Sequence, residues 1–469
     1  MLIRGKLKNS IIEQILGFKG IATDIDPILL PDGFLSEMEN LTVTNQATLS
    51  SILAPLLIGF PSGLTTDPII SIFNWKRDVA GTSLLMVQAG AKLYSYNGTT
   101  FTLIKTFTTT DRASFSGGFF DKLYIMHWKD GFFSFDGTNF TAVSEAPRSK
   151  YLLLWQTYLF GGGDLYENKT TAPTDYTYAP FRVRWSGIID DKFESWYQST
   201  VNPAGETVNN FIDMRTPESS NITGMGIWNR RIIIFTEDSI EEIVGSSPSN
   251  FVVNTIYRGR LTTINNNVGY YDFVYYVSPE GLCILASQDI LISKAYQKYW
   301  KTAPYYGIGI YDGKVYFMNG EDIGMFNTQT KFFEHYKYPL TSALYSSKDD
   351  LYLGTSDGKI YKWKGGTTYL PWSLKTKKIH YGSLKKYKRP VLLSITHNLS
   401  AASSTVTVKL ILDGVSNTVG TFDASLKTID EFILSYDVFK VAQVELSGTG
   451  EVEIIGIELM SKIRGVGYV

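Results

Sequence analysis

The feature that most constrains the fold is a hairpin signal that recurs along most of the chain. Asn97-Gly98 separates two short runs, residues 91–96 and 101–104, in which apolar and polar residues alternate. Asn-Gly between such runs predicts a β-hairpin, because a type I′ turn needs positive φ at both central positions. Comparable pairs follow at Asp130-Gly131, Asp136-Gly137, Asp312-Gly313, Asn319-Gly320, Asp357-Gly358 and Asp413-Gly414. Hairpins this regular indicate antiparallel meanders rather than βαβ units.

The hairpins group into a diverged repeat of seven units. They cover residues 83–104, 113–140, 150–196, 222–244, 268–285, 306–333 and 340–363. A first strand rich in small residues is followed by aromatic-rich strands, and a spacing of roughly 30 to 45 residues is typical of propeller blades. Glycine suits the crowded inner strand, and aromatic rings fill the wedge that widens between blades. The sequence predicts an all-β fold with a β-propeller of six or seven blades; one or two β-sandwiches are the alternative.

Composition excludes several other classes of protein. In 469 residues, aromatic residues reach 14% and charged residues only 19%, which is too apolar for a disordered chain. The net charge of −1 gives no case for a nucleic-acid or membrane binder. Cys283 is the only cysteine, and the histidines lack ligand spacing, so we expect no disulfide within the chain, no metal and no cofactor. No apolar run is long enough to span a membrane as a helix.

Two flanks of opposite charge surround the repeat. We divide the chain into an N-terminal extended docking segment (1–67), the propeller (68–367) and a C-terminal β-rich module opened by a basic segment (368–469). Residues 20–75 contain no Lys or Arg, whereas residues 358–412 contain no Asp or Glu. Alternating runs after residue 390 predict a small β-sandwich.

The charge contrast suggests that the two flanks meet, either within one subunit or between neighbours. Opposite charges would then steer assembly and fix register more than they add affinity. Ordinary solvated surface is the alternative. The candidate contact residues are Asp24, Asp26, Asp32, Glu37, Glu39, Lys375, Lys377, Lys378, Lys385, Lys386, Lys388 and Arg389.

Catalytic motifs are few. The sequence has no phosphate-binding loop, no Gly-x-Ser-x-Gly elbow and no His-Glu-x-x-His motif. Because propellers can carry glycosidase sites, paired carboxylates are candidate catalytic residues. Two groups exist, and both are expected at solvated hairpin tips: Asp190, Asp191 and Glu194, and Asp238, Glu241 and Glu242. Aromatic residues of the loop-rich stretch 162–216 are expected to fill the gap between blades rather than bind a sugar or partner; they are Tyr166, Tyr176, Tyr178, Trp185, Trp196 and Tyr197.

The most specific stretch is residues 17–41. It holds Pro27-Ile-Leu-Leu-Pro-Asp-Gly33 and ends Glu39-Asn40-Leu41. This stretch resembles the N-terminal signature of tail proteins from short-tailed bacteriophages. We expect a turn at Pro31-Asp32-Gly33 and one helical turn over residues 35–40, packed on the propeller. The order of propeller, basic segment and strand-rich module with a Gly-rich end is similar to the tail hub, or nozzle, in the family that stabilises packaged DNA. Such proteins often carry Arg-x-Gly after the acidic segment, and this chain has residues 50–59 there instead.

The resemblance implies a non-enzymatic structural protein of the virion tail, assembled in the host cytoplasm. It implies a ring, of six copies, below the head-to-tail adaptor or portal-proximal protein. Tail needle, fibre or spike proteins would be further partners. Double-stranded DNA would pass through the channel without sequence recognition, and the ring would help to retain it. Two alternatives stay open: a carbohydrate-active propeller enzyme, and a glycan- or receptor-binding tail protein.

Overall fold

The structure is a computed structural model. It describes residues 10–60, 67–77, 83–117, 121–143, 146–163, 165–168, 176–189, 192–197, 199–201, 205, 207–214, 220–258, 263, 266–285, 289–300, 306–338, 340–347, 349–399, 404–423 and 428–464. The predicted asparagine– and aspartate–glycine turns provide the positive φ that hairpins need: Gly98, Gly131, Gly137, Gly313, Gly358 and Gly414 all have φ between 65° and 111°.

Seven four-stranded antiparallel sheets form the centre of the molecule, and each is one blade. Blade 1 consists of Ile69–Lys76, Ser83–Ala89, Lys92–Tyr96 and Phe101–Thr106. Blade 2 consists of Ser114–Gly117, Leu123–His127, Gly131–Phe135 and Phe140–Ala142. Blade 3 consists of Tyr151–Trp155, Tyr158–Gly162, Arg182–Trp185 and Phe211–Asp213. Blade 4 consists of Ile222–Trp228, Arg231–Thr236, Ser239–Val244 and Val252–Arg258.

The remaining three blades have the same antiparallel order. Blade 5 consists of Val268–Tyr270, Val274–Ser278, Gly281–Leu285 and Asp289–Leu291. Blade 6 consists of Tyr306–Tyr311, Lys314–Asn319, Asp322–Asn327 and Phe333–Lys337. Blade 7 consists of Thr341–Ser346, Leu351–Thr355, Ile360–Lys362 and, from the N-terminal part of the chain, Leu56–Gly59.

The blades close into a circle. The first strand of each blade lies against the first strands of the blades before and after it, and that of blade 7 lies against that of blade 1. Closure is made by Leu56–Gly59, which pairs with Ile360–Lys362 as the outer strand of blade 7. The predicted propeller is therefore confirmed, with seven blades. Joining an early strand to the last blade removes the open edge that a linear array of sheets would leave.

Aromatic side chains fill the space between blades, as predicted. Trp75, from blade 1, is 1% exposed, and its ring centroid lies 5.8 Å from that of Phe135 of blade 2. Between blades 4 and 5, the rings of Phe235 and Tyr276 are 4.9 Å apart. Near the axis there is no such room: a Cβ on Gly307 would lie 2.8 Å from the Cβ of Leu344 on the next blade. Small inner residues and large outer ones thus follow from the radial geometry.

Blade 3 differs from the sequence prediction at its outer strand. The repeat unit was expected to end near residue 196, but the fourth strand is Phe211–Asp213. Three two-stranded hairpins interrupt this blade. Leu165–Asn168 with Tyr176–Ala179 lies between its second and third strands, whereas Gly187–Ile189 with Lys192–Ser195 and Ser199–Val201 with Thr207–Asn209 lie between its third and fourth strands. Apolar and polar residues alternate in these hairpins as they do in blade strands, so the sequence pattern did not show where blade 3 ends. The structure also describes two short 3₁₀ helices, Pro248–Asn250 and Ser293–Tyr299.

Two further sheets form a β-sandwich that takes strands from both ends of the chain. One sheet has the order Leu41–Val43, Leu49–Ser51, Val452–Ile463, Lys388–Leu399 and Ile429–Ile433, with Ser10–Ile15 also paired to Val452–Ile463. The other has the order Glu37–Glu39, Trp372–Lys375, Ala442–Thr449, Thr405–Leu412 and Val415–Asp423. Strands of the segment 1–67 therefore belong to the sandwich and to blade 7 rather than to a separate unit.

The helical turn expected over residues 35–40 is wrong. Glu37–Glu39 is a strand, and Met38 is fully buried in the core of the sandwich while Glu37 and Glu39 are partly exposed. This alternation has the period of a strand. The segment ends at Asn40, whose φ of 57° turns the chain into the strand Leu41–Val43. The turn predicted at Pro31-Asp32-Gly33 is present, with the Phe34 N–H donating to the Pro31 carbonyl at 3.3 Å.

Candidate functional site

The structure brings part of the two charged flanks together inside one subunit. Glu37 lies opposite Lys375 in neighbouring strands, and the Lys375 Nζ is 3.3 Å from the Glu37 Oε1. Asp32 accepts a hydrogen bond from the Lys377 Nζ at 2.5 Å. Lys377 holds the pKa of the Asp32 carboxyl below its usual range. These four residues join the N-terminal segment to the strand that follows blade 7.

Three further partners in this junction were missed by the sequence analysis. Lys298 donates to Glu37 at 2.6 Å, Glu13 pairs with Lys377 at 2.7 Å, and Glu445 pairs with Lys375 at 3.6 Å. They come from a propeller helix and from two sandwich strands. No local sequence pattern predicts these partners, because they come from elements that are far apart along the chain. The charged groups of the junction satisfy one another within the subunit.

The other candidate contact residues are placed differently. Lys388 is only 1% exposed, and its ammonium donates to the backbone carbonyls of Ser383 and Lys440. Burial lowers the pKa of Lys388. Glu39 and Lys378 are partly exposed. The remaining members of the set are exposed: Asp24, Asp26, Lys385, Lys386 and Arg389.

The N-terminal segment also fastens the propeller to the sandwich. The Ile21 N–H donates to the Phe333 carbonyl at 3.0 Å, and the close approach at Gly20 leaves no space for a Cβ. The Asn40 side chain donates to the Pro371 carbonyl at 2.8 Å and accepts from the Lys337 N–H at 2.9 Å. The Asn40 amide therefore connects blade 6 with Pro371, which directly precedes the sandwich strand Trp372–Lys375.

A buried carboxylate completes this joint. Glu334, on the outer strand of blade 6, is 3% exposed. It accepts hydrogen bonds from the Thr42 hydroxyl at 2.9 Å, from the Val43 N–H at 2.8 Å and from the Tyr336 hydroxyl. A carboxylate with several such donors is well satisfied despite its burial. The joint between the modules is therefore built from specific polar contacts and an apolar core.

A cavity of about 720 Å³ lies on the propeller axis, lined by first strands of six blades. Its wall carries both charged and aromatic groups, among them Arg112, Lys150, Trp128 and Tyr151. Arg112 reaches across the cavity, with its Nη1 3.5 Å from the Asn267 Oδ1 just before blade 5. The cavity is of the size of a small-molecule site, and far too small for a nucleic-acid duplex.

The carboxylate pair Glu241 and Glu242 is not at a hairpin tip, so that expectation is wrong. Both lie in the third strand of blade 4, where Glu241 is 1% and Glu242 8% exposed. Successive side chains of a strand point to opposite faces, so these two carboxylates do not share a cleft. Glu242 is paired with Arg231 at 2.7 Å. Of the other group, Asp190 and Asp191 lie outside the described residues, and Glu194 is described only as part of a strand.

Glu241 gives a testable pH dependence. Burial raises the pKa of its carboxyl, and its Oε2 has no hydrogen-bond partner among the residues that the structure describes. The folded protein holds this proton more tightly than the unfolded chain does. The stabilisation is therefore fully present at a pH below the unfolded-state pKa, and it is lost as the pH rises through the folded-state pKa. We expect Glu241→Gln to be more thermostable than the wild type at pH 7, with the difference shrinking toward pH 4.

Thermal unfolding of both proteins between pH 4 and pH 7.5 measures this difference. Glu242→Gln is the matched control on the neighbouring position: it loses the ion pair with Arg231 and should be less stable than the wild type at pH 7. A Glu241→Gln protein whose melting temperature runs parallel to that of the wild type at every pH would contradict the assignment.

Most of the described aromatic residues from the loop-rich stretch 162–216 fill space between blades, as predicted. Trp185 and Trp196 are each 1% exposed, and the Tyr166 ring stacks 6.0 Å from Trp128. The Arg184 guanidinium lies 4.6 Å from the Tyr197 ring. Tyr178 is the exception, with 46% of its surface exposed. The side chain of Tyr176 lies outside the described residues.

Three of the four histidines are paired with aspartates. His127 pairs with Asp130 at 2.7 Å, His335 with Asp322 at 2.9 Å and His397 with Asp430 at 2.8 Å. Over the described ranges, no group of three or more His, Cys, Asp or Glu side chains could hold a metal ion. In the same part of the chain, no helix combines the length and the apolar character needed to cross a membrane.

Comparison with known proteins gives only distant structural likenesses. No family model and no curated protein matches the sequence. Among solved structures, PorZ of Porphyromonas gingivalis, a bacterial surface component of the type-IX secretion system, has a TM-score of 0.41 at 9% identity over 66% of this chain and 38% of PorZ. BamB from Moraxella catarrhalis has a TM-score of 0.39 at 10% identity over 75% of this chain and 97% of BamB. The chain thus spans less than half the length of PorZ, and at such TM-scores these likenesses are too weak to carry a functional argument.

Proposed function

We propose that this chain is a structural protein of a phage tail. Copies of it form a ring, the hub or nozzle, below the head-to-tail adaptor, and DNA passes through the opening of that ring. The chain acts by shape and assembly, without catalysis. Tail needle, fibre or spike proteins would bind the same ring. The β-propeller supports this proposal as a rigid scaffold, a fold that carries many functions.

The observation that carries the proposal is the place of the tail-protein-like segment, residues 17–41, in the structure. It lies on blade 6 through Ile21 and enters the sandwich at Glu37–Glu39, and Asn40, near its end, contacts both modules. Gly20 and Gly33 have positive φ and leave no room for a side chain. The part of the sequence with the most specific resemblance is therefore the part that joins the two modules.

The proposal places the DNA outside the propeller, in the opening of the ring. The axial cavity measures about 720 Å³ and is crossed by Arg112. Arg112 and Asn267 approach each other to 3.5 Å across this cavity, whereas the major groove of B-DNA alone is about 12 Å wide, so a duplex does not fit through the blades. The channel of the proposed ring would then be lined by several subunits. With a net charge of −1, a subunit has no large excess of cations to hold DNA by counterion release, and DNA could slide.

Interruption of the gene in a phage that carries it tests the proposal. We expect purified virions to contain the chain in their tails, and we expect gene-null particles to fill their heads and then to lose the packaged DNA. Infectivity should fall by several orders of magnitude, whereas the number of heads should not. Mass spectrometry of virions and electron microscopy of the null particles measure this. Absence of the chain from virions, or cleavage of a glycan by the purified chain, would contradict the proposal.

A further inference from the structure

Two small charged surfaces remain after the internal pairs are formed. We call the first the acidic turn, formed by Asp24, Ile25, Asp26 and Leu29. We call the second the basic loop, formed by Leu384, Lys385 and Lys386 together with Arg389 at the start of the following strand. All eight residues are exposed, and in the described part of the chain none of their five charged side chains forms an ion pair. The flank residues thus divide into a set that is neutralised internally and a set that faces outward.

The acidic turn is held in place by its own backbone. The Leu29 N–H donates to the Asp26 carbonyl at 2.8 Å, and the Ile28 N–H donates to the Asp26 carboxylate at 2.9 Å. The Lys378 N–H donates to the Pro27 carbonyl at 2.9 Å and fixes the turn to the sandwich. Leu29 nevertheless remains 72% exposed. The turn therefore presents an apolar side chain and two carboxylates on a fixed support.

The basic loop is held from inside by Lys388. The buried ammonium of that residue donates to the Ser383 carbonyl at one end of the loop, and to the Lys440 carbonyl on the neighbouring chain segment at 2.9 Å. The Ser383 N–H donates to the His380 carbonyl at 3.1 Å. Leu384 is 51% exposed beside Lys385 and Lys386. This loop presents the same combination as the acidic turn, with the opposite charge.

We infer that the acidic turn of one copy binds the basic loop of the next copy. The partner is a second copy of this chain, because the two surfaces are complementary in charge and each exposes a leucine that the contact would cover. Since the backbone of both surfaces is already fixed by internal hydrogen bonds, little backbone conformational entropy is lost on binding. Two different surfaces make a head-to-tail contact, which closes into a ring when the rotation permits it. This inference rests on the proposed function and names the contact that builds the ring.

Charge reversal on each surface tests the contact. The acidic-turn variant is Asp24→Lys with Asp26→Asn, since asparagine keeps the acceptor of the turn. The basic-loop variant is Lys385→Glu with Lys386→Glu. The control is Glu280→Lys with Asp349→Lys, two exposed carboxylates on the propeller. Sedimentation velocity and native mass spectrometry of the full chain at about 0.05 M salt, where surface charges are weakly screened, measure assembly.

We expect the wild type and the control to assemble, and each reversal variant alone to assemble at least tenfold more weakly. An equimolar mixture of the two variants should assemble again, with equal numbers of each, because every contact in an alternating ring then joins opposite charges. A chain carrying both sets of changes should also assemble. A mixture that stays monomeric, reversal variants that assemble as the wild type does, or a monomeric wild type would each overturn the contact.

The two proposals fail in different ways. Virion content and DNA retention do not depend on which surface makes the contact, so a wild type that assembles independently of these charges removes the contact and leaves the tail proposal standing. A chain that assembles by this contact and is absent from virions would remove the tail proposal instead.

Discussion

Replacement of Trp75 by alanine is expected to lower the free energy of unfolding by about 4 kcal/mol, the range found for buried tryptophan. Trp75 is 1% exposed and fills the wedge between blades 1 and 2 against Phe135. Its neighbours belong to a closed circle of sheets and cannot collapse freely into the space it leaves. Urea unfolding followed by circular dichroism measures the loss.

Leu103→Ala is the control for this prediction. Leu103 lies on the outer strand of blade 1 and is 51% exposed, so its truncation should cost less than about 1 kcal/mol. Equal losses in the two variants would mean that Trp75 does not fill a closed interior wedge, and would contradict the radial packing of the blades.

Replacement of Met38 by alanine is expected to lower the free energy of unfolding by about 3 kcal/mol. Met38 is 0% exposed and lies in the sandwich core, on a strand that pairs with Trp372–Lys375 across more than 300 residues of chain. The same variant should loosen the N-terminal segment, so limited proteolysis before residue 40 should be faster than in the wild type.

Glu39→Ala, on the same strand but with a partly exposed side chain, is the matched control. It should change stability by less than about 1 kcal/mol and leave the proteolysis rate unaltered. If Met38→Ala and Glu39→Ala had the same stability and the same proteolysis rate, the strand Glu37–Glu39 would not contribute to the core and would be a surface element.

Sequence periodicity could predict the blades because their determinants are local. Asn97-Gly98 and the related pairs each specify a hairpin from local sequence alone. Hairpins of this kind recur along the chain at the spacing of propeller blades. The outer strand of blade 3 was missed because two extra hairpins separate Arg182–Trp185 from Phe211–Asp213. The closing strand, Leu56–Gly59, could not be recognised either, since its partner, Ile360–Lys362, lies 300 residues away.

The candidate contact surface was predictable in part. The charge contrast between the flanks indicated which residues to consider, and Glu37 with Lys375 and Asp32 with Lys377 are indeed adjacent in the structure. Charge alone could not separate paired residues from outward-facing ones. That division depends on register: Lys388 points inward to two carbonyls, whereas Lys385 and Lys386 remain exposed. Glu241 illustrates the same limit, because its burial depends on the strand pairing of blade 4.

The most direct test of the central claim is cryo-electron microscopy of tails from virions that contain the chain. The account predicts a ring of copies in which each subunit shows a seven-bladed disc fastened to a sandwich, with DNA running between subunits and the acidic turn of each copy against the basic loop of the next. A map in which the chain is a separate monomer at the particle surface, with an oligosaccharide held in one of its clefts, would contradict it.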